Sequence, residues 1–76
     1  MEDNIKDTFL SSAPDSVSVI DNLLAEYTAY EGDVYDTIKS NIDHLTYITN
    51  TFDYTKKQKT PILEAIARGK TALGIK

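Results

Sequence analysis

At 76 residues the chain has room for one domain, near the lower end of the sizes at which a single hydrophobic core holds a fold unaided. Its 41% hydrophobic and 26% charged residues are those of an ordinary globular protein, which excludes wholesale disorder. The absence of cysteine excludes disulfides, thiolate metal sites and cysteine nucleophiles together, and leaves the redox compartment open.

The net charge of −4 at pH 7 hides a division: residues 1–53 hold 11 acids against Lys6 and Lys39, and residues 54–76 hold six bases against Glu64. No apolar run approaches the roughly 18 residues of a membrane span. The start Met1-Glu2-Asp3-Asn4 is acidic where a secretory signal is basic and then apolar. The expectation is a chain without membrane contact or targeting signal, cytoplasmic or virion-associated.

Residues 1–12 read as an N-terminal arm or short helix, with Ile5, Phe9 and Leu10 near helical spacing. Ser12-Ala13-Pro14-Asp15 then resembles a helix start. Ser12 can cap, Pro14 is tolerated in a first turn where its missing N–H is not needed, and Asp15 stands as the capping acid. From there Ile20, Leu23, Leu24, Tyr27, Tyr30, Val34, Ile38, Ile42, Leu45, Ile48 and Phe52 recur in steps of mostly three and four. At 100° per residue they fall in one stripe about 140° wide, the pattern of an amphipathic helix with one buried face. Glu31, Asn41 and Thr49 fall inside the stripe as exceptions, and Tyr47 falls outside it.

Gly32-Asp33 interrupts this run and admits two readings. Gly32 can end one helix in a left-handed conformation with Asp33 capping the next, which makes a three-helix bundle broken at Gly32. Alternatively the helix runs on through residues 13–54. The stripe keeps its phase across the glycine, and a solvent-side glycine costs a helix only about 1 kcal/mol, so the continuous helix is the favoured expectation. The β-branched and aromatic stretch of residues 46–55 could compete as a strand, but no other segment supplies a sheet for it to join. Thr60-Pro61 signals a last helix over residues 61–73, with Thr60 as cap, Pro61 at the first position and Gly74 as terminator. The fold class is therefore all-α, a single helical domain in which a long amphipathic helix is followed by a short antiparallel one.

A helix over residues 13–54 is about 60 Å long and one over residues 61–73 only about 20 Å, so the short helix leaves part of the stripe bare. Leu23, Leu24, Tyr27, Tyr30, Val34 and Ile38 are then the candidate interface, covered by a second copy or another protein. The basic C-terminal segment can lie against acidic helix in this chain or a neighbour. In the sharper reading Lys56, Lys57, Lys59, Arg68 and Lys70 form a nucleic-acid contact surface, though no aromatic platform accompanies them.

Other constellations lead nowhere. Gly69-Lys70-Thr71 resembles the end of a phosphate loop, but Glu64 stands where the motif needs glycine. His44 is the only histidine; it lies on the polar side of the stripe and reads as solvated, with no nucleophile at triad spacing. Glu31, Asp33 and Asp36 lack the ligand pattern of a calcium loop, so no metal or cofactor is expected. Asp21, Glu26, Asp33, Asp36 and Asp43 could imitate a row of phosphates and occupy a nucleic-acid-binding protein, but the charge density of that face is ordinary. The function this supports is a non-enzymatic structural or adaptor protein, a helical homo-oligomer or small subunit of a larger assembly. The alternative is a small regulator that binds nucleic acid through its basic segment or blocks a nucleic-acid-binding protein through its acidic helix.

Overall fold

A stripe of large aliphatic side chains can be shielded by a partner or by folding the helix back on itself, and Gly32 makes the second route possible. A computed structural model of the chain describes residues 2–28 and 31–74. Three helices make it up: α1 (Glu2–Glu26), α2 (Val34–Thr51) and α3 (Lys56–Leu73). The helix expected to continue over residues 13–54 is thus broken between Glu26 and Val34, and the three-helix arrangement is the one the chain adopts. Gly32 has φ 49, the left-handed region in which a residue without Cβ carries no steric cost. Glu31 accepts the Thr28 N–H through its carboxylate at 2.9 Å, and its carbonyl accepts the Val34 N–H at 2.9 Å. Asp33 holds the N-cap position of α2 without a side-chain capping bond.

Magnitudes decide the break. Each helical hydrogen bond given up costs a net of about 1 kcal/mol, and each large aliphatic side chain taken from water returns about 1.5–3 kcal/mol. The reversal buries Ile20, Ile38, Leu45 and Ile48 completely, with Ile42 at 2% exposure. Ala13, Tyr54, Ile62, Ala65, Ile66 and Leu73 complete the core, and Phe9, Leu10, Val17, Leu23, Leu24, Val34, Tyr35 and Phe52 pack around it.

Two of the exceptions to the stripe are resolved by local bonds. Buried Thr49 donates its hydroxyl to Leu45 O at 2.9 Å, and Asn41 donates to Thr37 O at 2.8 Å. Tyr47, outside the stripe, is 56% exposed.

Two further expectations are corrected. Residues 2–12 are not a separate arm, because α1 runs from Glu2 through Pro14; Met1 lies outside the described residues. Ser12 is no cap; its hydroxyl donates to Phe9 O at 3.1 Å. Continuity here keeps Phe9, Leu10 and Ala13 in phase with Val17 and Ile20, and the burial of that row outweighs the helical bond that Pro14 cannot make to Leu10 O. At the other end, α3 begins at Lys56, five residues before Pro61. Thr55 and Gln58 form a reciprocal capping box, with Gln58 N–H donating to Thr55 Oγ1 at 3.2 Å and Thr55 N–H donating to Gln58 Oε1 at 2.9 Å. That satisfies two donors at the start of α3, and Thr60, inside the helix and not its cap, donates its hydroxyl to Lys56 O at 2.8 Å. Gly74 closes α3 in the left-handed conformation, φ 74, the terminator role that its position suggests.

The bonds between α1 and the segment after α2 share one register. Lys6 Nζ donates to Asp53 O at 3.0 Å, the Tyr54 hydroxyl donates to Lys6 O at 2.8 Å, and Arg68 grips Asp21. These pairs are 47 or 48 residues apart, so α1 and α3 run parallel with residue i level with residue i+47.

Candidate functional site

The candidate interface read from the sequence is largely spent on the chain's own core. Ile38 is fully buried, and Leu23, Leu24 and Val34 are half-buried against the core. Tyr27 is 50% exposed, and Tyr30 lies outside the described residues. These positions do not come together as a bare patch, because the premise of a continuous helix does not hold.

The basic residues Lys56, Lys57, Lys59, Arg68 and Lys70 all lie on α3, but helical geometry splits them. Lys57 and Arg68, eleven residues apart, share the flank toward α1, while Lys59 and Lys70, also eleven apart, are half-buried on the flank toward α2. Thr60, Leu63, Ala67 and Thr71 lie between, and Leu63 is 48% exposed. Four of the five cations therefore form two short rows, with exposed Lys56 between them, instead of one continuous surface. The acids are dispersed too: Asp21 pairs with Arg68, Asp43 pairs with Lys39 at 3.2 Å, and the row that a continuous helix would have made is broken by the turn.

His44 departs from the solvated reading. It is half-buried and meets the Phe9 ring edge-on, centroids 5.6 Å apart. Phe9 also packs on Phe52 at 5.5 Å, and Phe52 on Tyr54 at 5.9 Å. Lys6 crosses above the Tyr54 ring, 5.7 Å from its centroid. Burial, with a smaller contribution from the charge of Asp7, raises the Tyr54 hydroxyl above its ordinary value of 10.0. This cluster clamps the start of α1 onto the α2–α3 loop, a structural role. Gly69 of the Gly69-Lys70-Thr71 run sits inside α3 beneath α2, where an added Cβ would stand 2.7 Å from Ile42 Cδ1. It is a close-packing position. Among the described residues, no three histidine or carboxylate side chains gather as a metal-ligand set.

An apolar groove of about 290 Å³ lies between α1 and α3, formed by Leu10, Ala13, Pro14, Val17, Ser18, Gln58, Pro61 and Ile62. Pro14 and Pro61 are 47 residues apart and therefore level with one another. Each lies inside its helix at the groove, and each lacks the N–H that Leu10 O or Lys57 O would otherwise receive. Further along the same two helices Arg68 Nε and Nη2 donate to Asp21 Oδ1 and Oδ2 at 3.1 and 3.2 Å. Both side chains are nearly half exposed, 48% and 45%. A trough of this kind holds apolar side chains from a partner helix.

Sequence reasoning missed this site because its two walls are brought together only by the tertiary register. The available signal was weak: two prolines, each read as a helix start, that instead lie inside helices. The chain matches no protein-family model, and comparisons with curated proteins and with solved structures give no match.

Proposed function

We propose that this chain is a non-enzymatic interaction module, a small three-helix scaffold that works as a homo-oligomer or as a small subunit docked on another protein. The observation that carries the reading is the α1–α3 groove, which stays open and apolar while most of the described stripe residues pack into the chain's own core. Half-exposed Tyr27, Tyr47 and Leu63 support it as isolated apolar contacts, and single exposures of this kind carry less weight than a concave patch. The three helices shield their own core, so a partner is an option for this protein and not a condition of its folding. Light scattering coupled to size exclusion tests the oligomeric form, and a species that stays monomeric at high micromolar concentration removes it.

A second reading has one observation in its favour: among the described residues, Lys56, Lys57, Lys59 and Lys70 have no carboxylate partner within ion-pair distance. α3 would then contact phosphates. A gel shift at low salt tests this, since phosphate contacts strengthen as salt falls, and the absence of any shift there removes it.

A further inference from the structure

We infer that the occupant of the α1–α3 groove is a second copy of this chain, related by a two-fold axis parallel to the helices, so that α1 of each protomer lies over α3 of its partner. This rests on the interaction reading above and names its surface and geometry.

The argument comes from charge and level. Between Glu2 and Glu26 the sequence holds six acids against Lys6, and α3 holds five bases against Glu64. Asp7, Pro14 and Asp21 recur every seven residues and lie along one face of α1, on which Pro14 lines the groove and Asp7 the edge of a neighbouring polar hollow. Lys57, Pro61, Glu64 and Arg68 recur in steps of four, three and four on the matching face of α3. In the 47-residue register, Arg68 is level with Asp21, Glu64 is close to the level of Ser18, and Lys57 stands about one turn from the level of Asp7.

Two dyads can bring this face onto itself. An axis across the helices sets α1 against α1 antiparallel, centred near Pro14. Asp7 then meets Asp21 of the partner subunit, and Lys57 approaches the partner's Arg68. An axis along the helices sets acidic α1 against basic α3 twice over. Each Asp21–Arg68 pair, half exposed in the single chain, then joins its symmetry mate in a four-membered network, and Glu64 faces uncharged Ser18. Like charges held together across an interface are penalised, and complementary ones fix its orientation.

The size is adequate. The molecule measures 39 × 20 × 16 Å, so a face as long as the helices and two helices wide offers on the order of the ~800 Å² per partner of a specific interface. The apolar trough lies at its centre, where binding energy concentrates.

The chain has no cysteine of its own, which permits a direct test. Single-cysteine variants S18C and E64C, both at exposed positions, are mixed in equal amounts at high micromolar concentration, oxidised mildly and resolved by mass. The expected product is the mixed 18–64 disulfide dimer in several-fold excess over either like-with-like species. Light scattering on the unmodified chain runs alongside. A dimer by scattering with mostly like-with-like disulfides, or with none, overturns this geometry and leaves the interaction reading standing. A monomer at every concentration overturns the second-copy proposal together with the homo-oligomeric form of the interaction reading, and leaves docking on another protein standing. As a second readout, D7K weakens the dimer several-fold and adding K57E to it restores most of the loss; no change on D7K contradicts the assigned charge pairing.

Discussion

The seam between α2 and α3 and the seam between α1 and α3 share one helix yet close to different degrees. At the first, Gly69 lets the Ile42 side chain lie against the α3 backbone so closely that a methyl group would press on it, and Ile38 is sealed beneath. At the second, two interior prolines face a trough of about 290 Å³ and a half-exposed ion pair. The contrast separates what a small helical chain must do to fold from what it keeps available. The α2–α3 seam uses its apolar surface within the chain, and the α1–α3 seam leaves part of it accessible. A 76-residue protein has little stability to spare, so an open seam is a feature that needs a use, and association through it is the use proposed above.

The contrast can be broken or sharpened at individual residues. The largest effect is expected at Ile38→Ala, which empties a site sealed by α2 and α3. A loss of about 3 kcal/mol in urea unfolding is expected, and a loss below 1 kcal/mol would mean that the seam is not tight. Gly69→Leu overpacks the same seam and is expected to cost about 2–3 kcal/mol, read as a fall in Tm. The opposite sign is expected across the molecule: Pro14→Ala restores a helical N–H to α1 at the open seam and stabilises the chain by about 1–2 kcal/mol in the same assay.

Smaller again is Tyr54→Phe, which removes the hydroxyl bond to Lys6 O at a cost of about 1 kcal/mol. It also carries a pH signature. The Tyr54 hydroxyl is raised in the folded state by burial and then by Asp7, so the unfolded chain loses its proton first as pH rises. The associated stability is complete below pH 10.0, the ordinary value, and is lost as pH climbs through the raised one. Unfolding curves between pH 8 and 11 should therefore fall less steeply for Tyr54→Phe. Arg68→Ala is expected to be the mildest, below about 1 kcal/mol and fading with salt, because its ion pair is half exposed.

The core was legible in the sequence because its signal is local periodicity. Ile20, Ile38, Ile42, Leu45 and Ile48 were read as one stripe and are among the most deeply buried side chains. The direction of the chain after Glu26 was not legible, because the phase of the stripe persists through the turn and a phase does not say whether a helix continues or reverses. Gly32 contained the answer, but the cost of one glycine looked smaller than the gain that only packing reveals. Proline was misread twice for one reason. Pro14 and Pro61 both follow residues able to cap, and local preference places them in first turns, whereas the core holds them inside helices. For α3 a better local signal was present in Thr55-Lys56-Lys57-Gln58, whose spacing is that of a capping box. The candidate site left only a weak trace in the sequence, the two misread prolines, since its walls lie 47 residues apart.

Hydrogen exchange at two protein concentrations tests the difference between the seams most directly. At low micromolar concentration, amides around Ile38–Leu45 and Ala65–Gly69 should exchange at least tenfold more slowly than those around Pro14–Ser18. At high micromolar concentration, protection should rise along the groove and leave α2 unchanged. Uniform protection of all three helices, with no response to concentration, would contradict the account.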